Sequence, residues 1–165
     1  MRIPVNNQAF LPRSESKLVL TLVLATYAFA LDRLILYIVC LFTPIRQPRS
    51  GFAAQGPWAE AADYALLTPI IAGVVLVATI ELLRLLRLPV VLQIVLAAAA
   101  SCAINAVFWW PLGLVVAPVF LLSAYAYLRW RPDSWLVALG YTILIHFFSS
   151  LPAGISVFAH VTRNA

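Results

Sequence analysis

The sequence predicts an all-α, polytopic bundle of about five transmembrane helices, and three observations carry that reading. Hydrophobic residues make up 64% of the chain and charged residues 10%, whereas a soluble domain has roughly a quarter of its residues charged. Mean hydropathy is +0.97. The apolar residues also fall into long runs, and about twenty of them are needed to cross a hydrocarbon core of roughly 30 Å. A chain of 165 residues has room for about four to six such runs and little else, so one membrane domain is expected.

Residues 1–17 are polar, with Arg2, Arg13 and Lys17 against Glu15, and read as an N-terminal tail. The first span is expected at 18–42. Its Ala28-Phe29-Ala30 mimics a signal-peptidase site, but the run continues to Phe42, well past a usual signal core. Residues 43–63 hold Pro44, Pro48, Gly51, Gly56 and Pro57 and read as the one sizeable loop, with Trp58 at the interface. The second span, 64–86, ends in Arg84 and Arg87, and Pro89 restarts the chain as the third, 89–110. Trp109, Trp110, Pro111 and Gly113 mark a tight turn into a short fourth run, 112–128. The sequence leaves open whether 89–128 forms two full spans or a re-entrant hairpin. The turn Arg129-Trp130-Arg131-Pro132-Asp133 leads to the fifth span, 134–158, in which Pro152 and Gly154 are candidate kinks, and to a tail at 159–165.

An orientation follows from the basic residues. With the N-terminus in the cytoplasm, Arg2, Arg13, Lys17, Arg84, Arg87, Arg129 and Arg131 lie inside, and Arg46, Arg49 and Arg163 outside. The expected location is thus a bacterial-type inner (cytoplasmic) membrane. The net charge of +5 comes from basic residues dispersed at the ends of apolar runs. That pattern suits lipid headgroups and excludes a nucleic-acid surface. Cys40 and Cys102 sit inside apolar runs without a metal-binding pattern, so both read as small core residues with no disulfide partner; no metal or cofactor is expected.

Asp32 and Arg33 fall in the middle of the first run, where each charge costs at least roughly 2.5–3.5 kcal/mol. Adjacent residues point about 100° apart on a helix, so at least one is expected to meet a neighbouring helix or a polar cavity. At about 1.5 Å per residue, His146 on the fifth run shares the depth of Asp32, with Ser101 and Ser123 within a turn or so and Asn105 further outward. A buried polar cluster of Asp32, Arg33, Ser101, Asn105, Ser123, His146 and Ser150 is therefore expected, either as a structural clasp or as a binding site. If any residues are catalytic, they are His146 and Asp32. Glu81 and Arg84, at i and i+3, are expected to pair and snorkel. The run Ala97-Ala98-Ala99-Ala100-Ser101-Cys102-Ala103 makes the third helix narrow, and places it at the centre of the bundle. Tyr125, Tyr127, Phe147 and Phe148 read as packing or lipid-facing residues, and Trp109, Trp110, Trp130 and Trp135 as interfacial.

From Tyr125, the sequence Tyr-Ala-Tyr-Leu-Arg-Trp-Arg-Pro-Asp-Ser-Trp-Leu, followed by Ile145-His146-Phe147-Phe148-Ser149-Ser150, resembles the end of the CAAX-protease and bacteriocin-processing family of intramembrane proteases. In that family an arginine-bearing segment precedes a helix with a His-x-x-x-Asn motif. His146 matches the histidine, and Ser150 stands at the asparagine. The same register places Asn105 near the family's other helix histidine and Ile71-Ala72, after Pro69, near its Glu-Glu pair. The family activates water with those carboxylates and histidines, so the resemblance implies a family fold reused without catalysis.

The expected function is accordingly a non-catalytic accessory or assembly subunit of a larger membrane complex, with lipids and other membrane subunits as partners. One alternative is a small transporter or ligand-binding component using the Asp32, Arg33 and His146 layer; another is an intramembrane hydrolase.

Overall fold

The computed structural model describes residues 16–43 and 56–164, and every element among them is helical. Residues 1–15 of the expected tail, residues 44–55 of the expected loop, and with them Arg2, Arg13, Arg46 and Arg49, lie outside the described residues. Among the described residues five helices are long and apolar enough to cross a membrane: Lys17–Phe42, Trp58–Leu85, Val90–Phe108, Trp110–Trp130 and Trp135–Pro152. The chain is an integral, multi-pass membrane protein.

The first span is α1 (Lys17–Phe42), with Thr21, Leu24, Ala25, Ala28 and Asp32 along its buried face. That spacing of three, one, three and four positions is one helical stripe. The helix that carries the second span begins at Pro57, upstream of the expected Tyr64. It comprises α2 (Pro57–Ala62), a π-helical turn (Asp63–Leu67) and α3 (Thr68–Leu85). The wide turn has a local cause: Pro69 has no N–H and its ring would strike the carbonyl one turn back, so the helix opens just upstream. Thr68 answers from the same turn, its hydroxyl donating to Asp63 Oδ1 at 3.3 Å.

Two residues carry the turn into α4 (Val90–Phe108). Arg87 takes φ +55°, with its N–H on Arg84 O at 2.9 Å, and Pro89 caps the next helix. The fourth span is α5 (Trp110–Val115) and α6 (Ala117–Trp130), broken at Val116 ahead of Pro118. Residues 90–130 thus form two separate helical passes, each long enough to span. The last helix, α7 (Trp135–Asn164), runs through Pro152 without ending there.

The expectation that the third helix occupies the centre is corrected. Only 22% of the Val90–Phe108 span is buried, against 56% of Trp110–Trp130. The alanine run does allow close approach, but on one side: Ala97, Ala98 and Ser101 are buried while Ala99, Ala100 and Ala103 face outward. Narrowness sets how near a neighbour comes, not how many there are. The hub is the α6–α7 pair, with α1 packed on both, α3 on α7 and α4 on α6.

Without water between them, transmembrane helices gain little from hydrophobicity and depend on such close packing. A Cβ on Gly73 would stand 2.7 Å from Ile143 Cγ1, and one on Gly113 would stand 2.6 Å from the backbone oxygen of Cys102. The second contact cannot be relieved by a rotamer change. Gly113→Ala is expected to destabilise the protein by about 1–3 kcal/mol. Gly140→Ala, where a Cβ meets nothing within 4 Å, should leave the melting temperature in detergent unchanged or slightly raised; equal melting of the two variants would contradict the packing described.

Candidate functional site

Among the described residues two polar assemblies interrupt the apolar bundle, one in its interior and one at the end that carries the basic turns.

The interior layer is built from buried stripes. Lys17 and Asp133 are joined at 2.6 Å and give α1 and α7 a common starting level. Asp32 lies fifteen positions beyond Lys17 and His146 thirteen beyond Asp133, about 22 Å and about 20 Å along their helices. They occupy one depth. Asp32 is 8% exposed and His146 5%, with Ser101 and Ser123 also buried. The His146 ring leans on Phe120 of α6, centroids 4.9 Å apart. The Asp32 carboxylate is within electrostatic reach of the Cys102 thiol on α4.

The other expected members sit differently. Arg33 is on the outward face of α1, its guanidinium 5.1 Å from the centroid of the Phe29 ring. It forms no ion pair with Asp32 or any other acid among the described residues. Asn105 is half-buried and spends its Nδ2 on Ser101 O at 2.8 Å. Ser150, also half-buried, donates to His146 O at 2.6 Å and to Phe147 O at 3.3 Å. These are bonds within one helix, so no hydrogen bond joins the seven residues across helices among the described residues. Asp32 Oδ1, Ser101 Oγ, Ser123 Oγ and His146 Nε2 have no hydrogen-bond partner there.

Ser149 and Cys102 were not anticipated as members. Ser149 is buried with a free Oγ one turn from His146, on the stripe that also holds Ala138, Thr142 and Ile145. Its position on that stripe was the available signal, one residue from the Ser150 that the motif register selected. The layer offers a carboxyl, an imidazole, a thiol and hydroxyls between apolar walls, a composition that suits a proton or a small polar ligand. Among the described residues no three His, Cys, Asp or Glu side chains are arranged to hold a metal ion.

The second assembly is centred on Glu81 in the last turns of α3. Arg84 Nη1 donates to both of its oxygens at 2.8 and 2.7 Å. Arg131 Nε donates to Oε1 at 2.8 Å, and the Tyr127 hydroxyl to the same oxygen at 2.5 Å. The bond to Glu81 pushes the Arg131 guanidinium above its ordinary range, so its charge is permanent. The pairing expected at i and i+3 is therefore one arm of a clamp that ties α3 to α6 and to the turn after it. Tyr127 is fully buried, and its spacing of four from Arg131 puts both on the face of α6 that meets Glu81.

No protein-family model, curated protein or solved structure matches this chain.

A hydrogen bond to a charged group is worth about 1.5–3 kcal/mol, so Tyr127→Phe is expected to destabilise by that order. Glu81→Ala is expected to cost more, because it leaves two guanidinium groups facing each other without their carboxylate. Thermal melts of Tyr127→Phe, Glu81→Gln and the double variant should show coupling; strictly additive effects would contradict the bond.

Proposed function

We propose that this chain is a non-catalytic accessory or assembly subunit of a larger membrane complex, and that it docks on other membrane helices through the outward face of α1. The observation that carries the reading is the position of Arg33. Phe29 is the thirteenth of the 26 residues of α1, and the Arg33 guanidinium lies back over its ring. The charge is therefore held at the middle of the helix and does not reach toward the nearer end. An arginine at that depth facing lipid costs at least roughly 2.5–3.5 kcal/mol. A carboxylate on a partner's membrane helix offsets that cost, and lipid tails do not.

The surroundings of Arg33 support the same reading. Thr26, Ala30, Arg33 and Tyr37 share one exposed stripe, at spacings of four, three and four. Thr26 and Ala30 are small enough to admit a second helix closely. The family resemblance fits a subunit without chemistry, since Ile71 and Ala72 stand where it would place the carboxylate pair. Lys17, Arg84, Arg87, Arg129 and Arg131 gather at one end of the bundle, which supports a cytoplasmic N-terminus in a bacterial-type inner membrane.

Co-purification from the native membrane in a mild detergent tests the reading. Wild-type protein is expected to bring membrane partners with it, and Arg33→Leu to lose them while melting normally. Recovery of the wild type alone in several mild detergents would contradict it.

A second reading, a small transporter or ligand-binding component, is favoured by the buried Asp32 and His146 with unpartnered atoms at one depth. Under it, a polar ligand raises the melting temperature of the wild type, and Asp32→Asn or His146→Ala abolishes the shift.

A further inference from the structure

The basic end of the bundle also holds a cleft of about 290 Å³, lined by Arg84, Val90, Gln93, Leu128, Arg131 and Pro132. Docking through α1 makes no use of it. The cleft brings together the last turn of α3, the first turn of α4, and the end of α6 with its following turn.

Its electrostatics are those of an anion site. Arg84 and Arg131 share the single carboxylate of Glu81, so the trio keeps a net positive charge. Arg84 spends only Nη1 on Glu81 and Arg131 only Nε, and each guanidinium retains further donors for a second acceptor. The first turn of α4 adds to this. Its cap, Pro89, makes no side-chain bond to that turn, so the N–H groups of Val90, Val91 and Leu92 have no carbonyl within the helix, and the positive end of its dipole faces the same end of the bundle.

The apolar lining narrows the choice of anion. Gln93 is 6% exposed, its Nε2 donates to Leu88 O at 2.6 Å, and its Oε1 is sealed from solvent, so the amide offers a ligand in the cleft nothing. A bare inorganic anion would leave Val90, Leu128 and Pro132 uncovered. An anionic phospholipid answers both sides at once, because its phosphate oxygens take the arginine donors. Val90, Leu128 and Pro132 supply apolar walls for the glycerol and the start of the acyl chains, at the depth where headgroups lie.

We propose that this cleft is an anionic-phospholipid site, in which Arg84 and Arg131 hold the phosphate and Val90, Leu128 and Pro132 flank the glycerol and the first acyl carbons.

The test uses delipidated full-length protein in a neutral detergent, with melting followed during titration by phosphatidylglycerol, phosphatidylcholine or inorganic phosphate. Phosphatidylglycerol is expected to raise the melting temperature in a saturable way. Phosphatidylcholine, whose choline cancels the phosphate charge, should do so much more weakly, and inorganic phosphate should not substitute. Arg84→Gln is expected to weaken the phosphatidylglycerol response about tenfold, the loss of one charge-assisted contact. Arg129→Gln removes the same charge from outside the cleft and should keep the full response. Equal responses to both lipids, full stabilisation by inorganic phosphate alone, or equal weakening by Arg129→Gln and Arg84→Gln would each overturn the proposal.

Discussion

In hydrocarbon a polypeptide has no water to satisfy its N–H and C=O groups, so the backbone closes on itself as helices. The same solvent removes the force that presses helices together in a soluble protein. What remains is shape and a few polar contacts, and both are visible in this bundle. Gly73 lets α7 rest on α3 at Ile143, Gly113 lets α5 rest on the backbone of α4, and Gly154 brings α7 against Ala65 and Ala61. At the basic end, Glu81 gathers donors from α3, α6 and the turn beyond it. Polar groups in such a solvent are few, and each one carries information about what must meet it.

How much of this could be read in the sequence depends on the length scale of the signal. Runs of apolar residues bounded by Arg84, Arg87, Arg129 and Arg131 placed all five spans, because hydropathy is summed over about twenty residues and tolerates local error. Boundaries fared less well. Pro57 starts a helix where a loop was expected, because a proline at a first turn is compatible with a helix and the Pro69 clash is absorbed by a π turn. The interior layer was sought by depth; Asp32, Ser101, Ser123 and His146 are buried, with side-chain atoms that find no hydrogen-bond partner among the described residues. The direction a side chain takes around its helix is a finer quantity. It separated Arg33 from Asp32, and Ser149 from Ser150, by single positions. The full clamp on Glu81 was not legible, since it joins α3 to residues more than forty positions later and nothing local announces that contact.

The three polar features divide the molecule by environment. An acid and an imidazole lie inside the bundle at one depth, an arginine faces outward at the middle of α1, and paired arginines line a cleft at the basic end. Each removes a charge or dipole from water to a different degree, and so each implies a different kind of neighbour: a proton or small ligand, a carboxylate on another membrane helix, a headgroup. The outward arginine makes the sharpest demand, because lipid tails have nothing to offer it.

That demand can be measured by placing a photo-crosslinking amino acid at Ala30 or Tyr37 on the exposed stripe of α1, and at Val91 or Val95 on the exposed face of α4, and irradiating native membranes. The account predicts discrete protein adducts from the α1 positions and lipid adducts alone from the α4 positions. Lipid adducts alone from Ala30 and Tyr37 would show that Arg33 faces hydrocarbon unmet, and would contradict it.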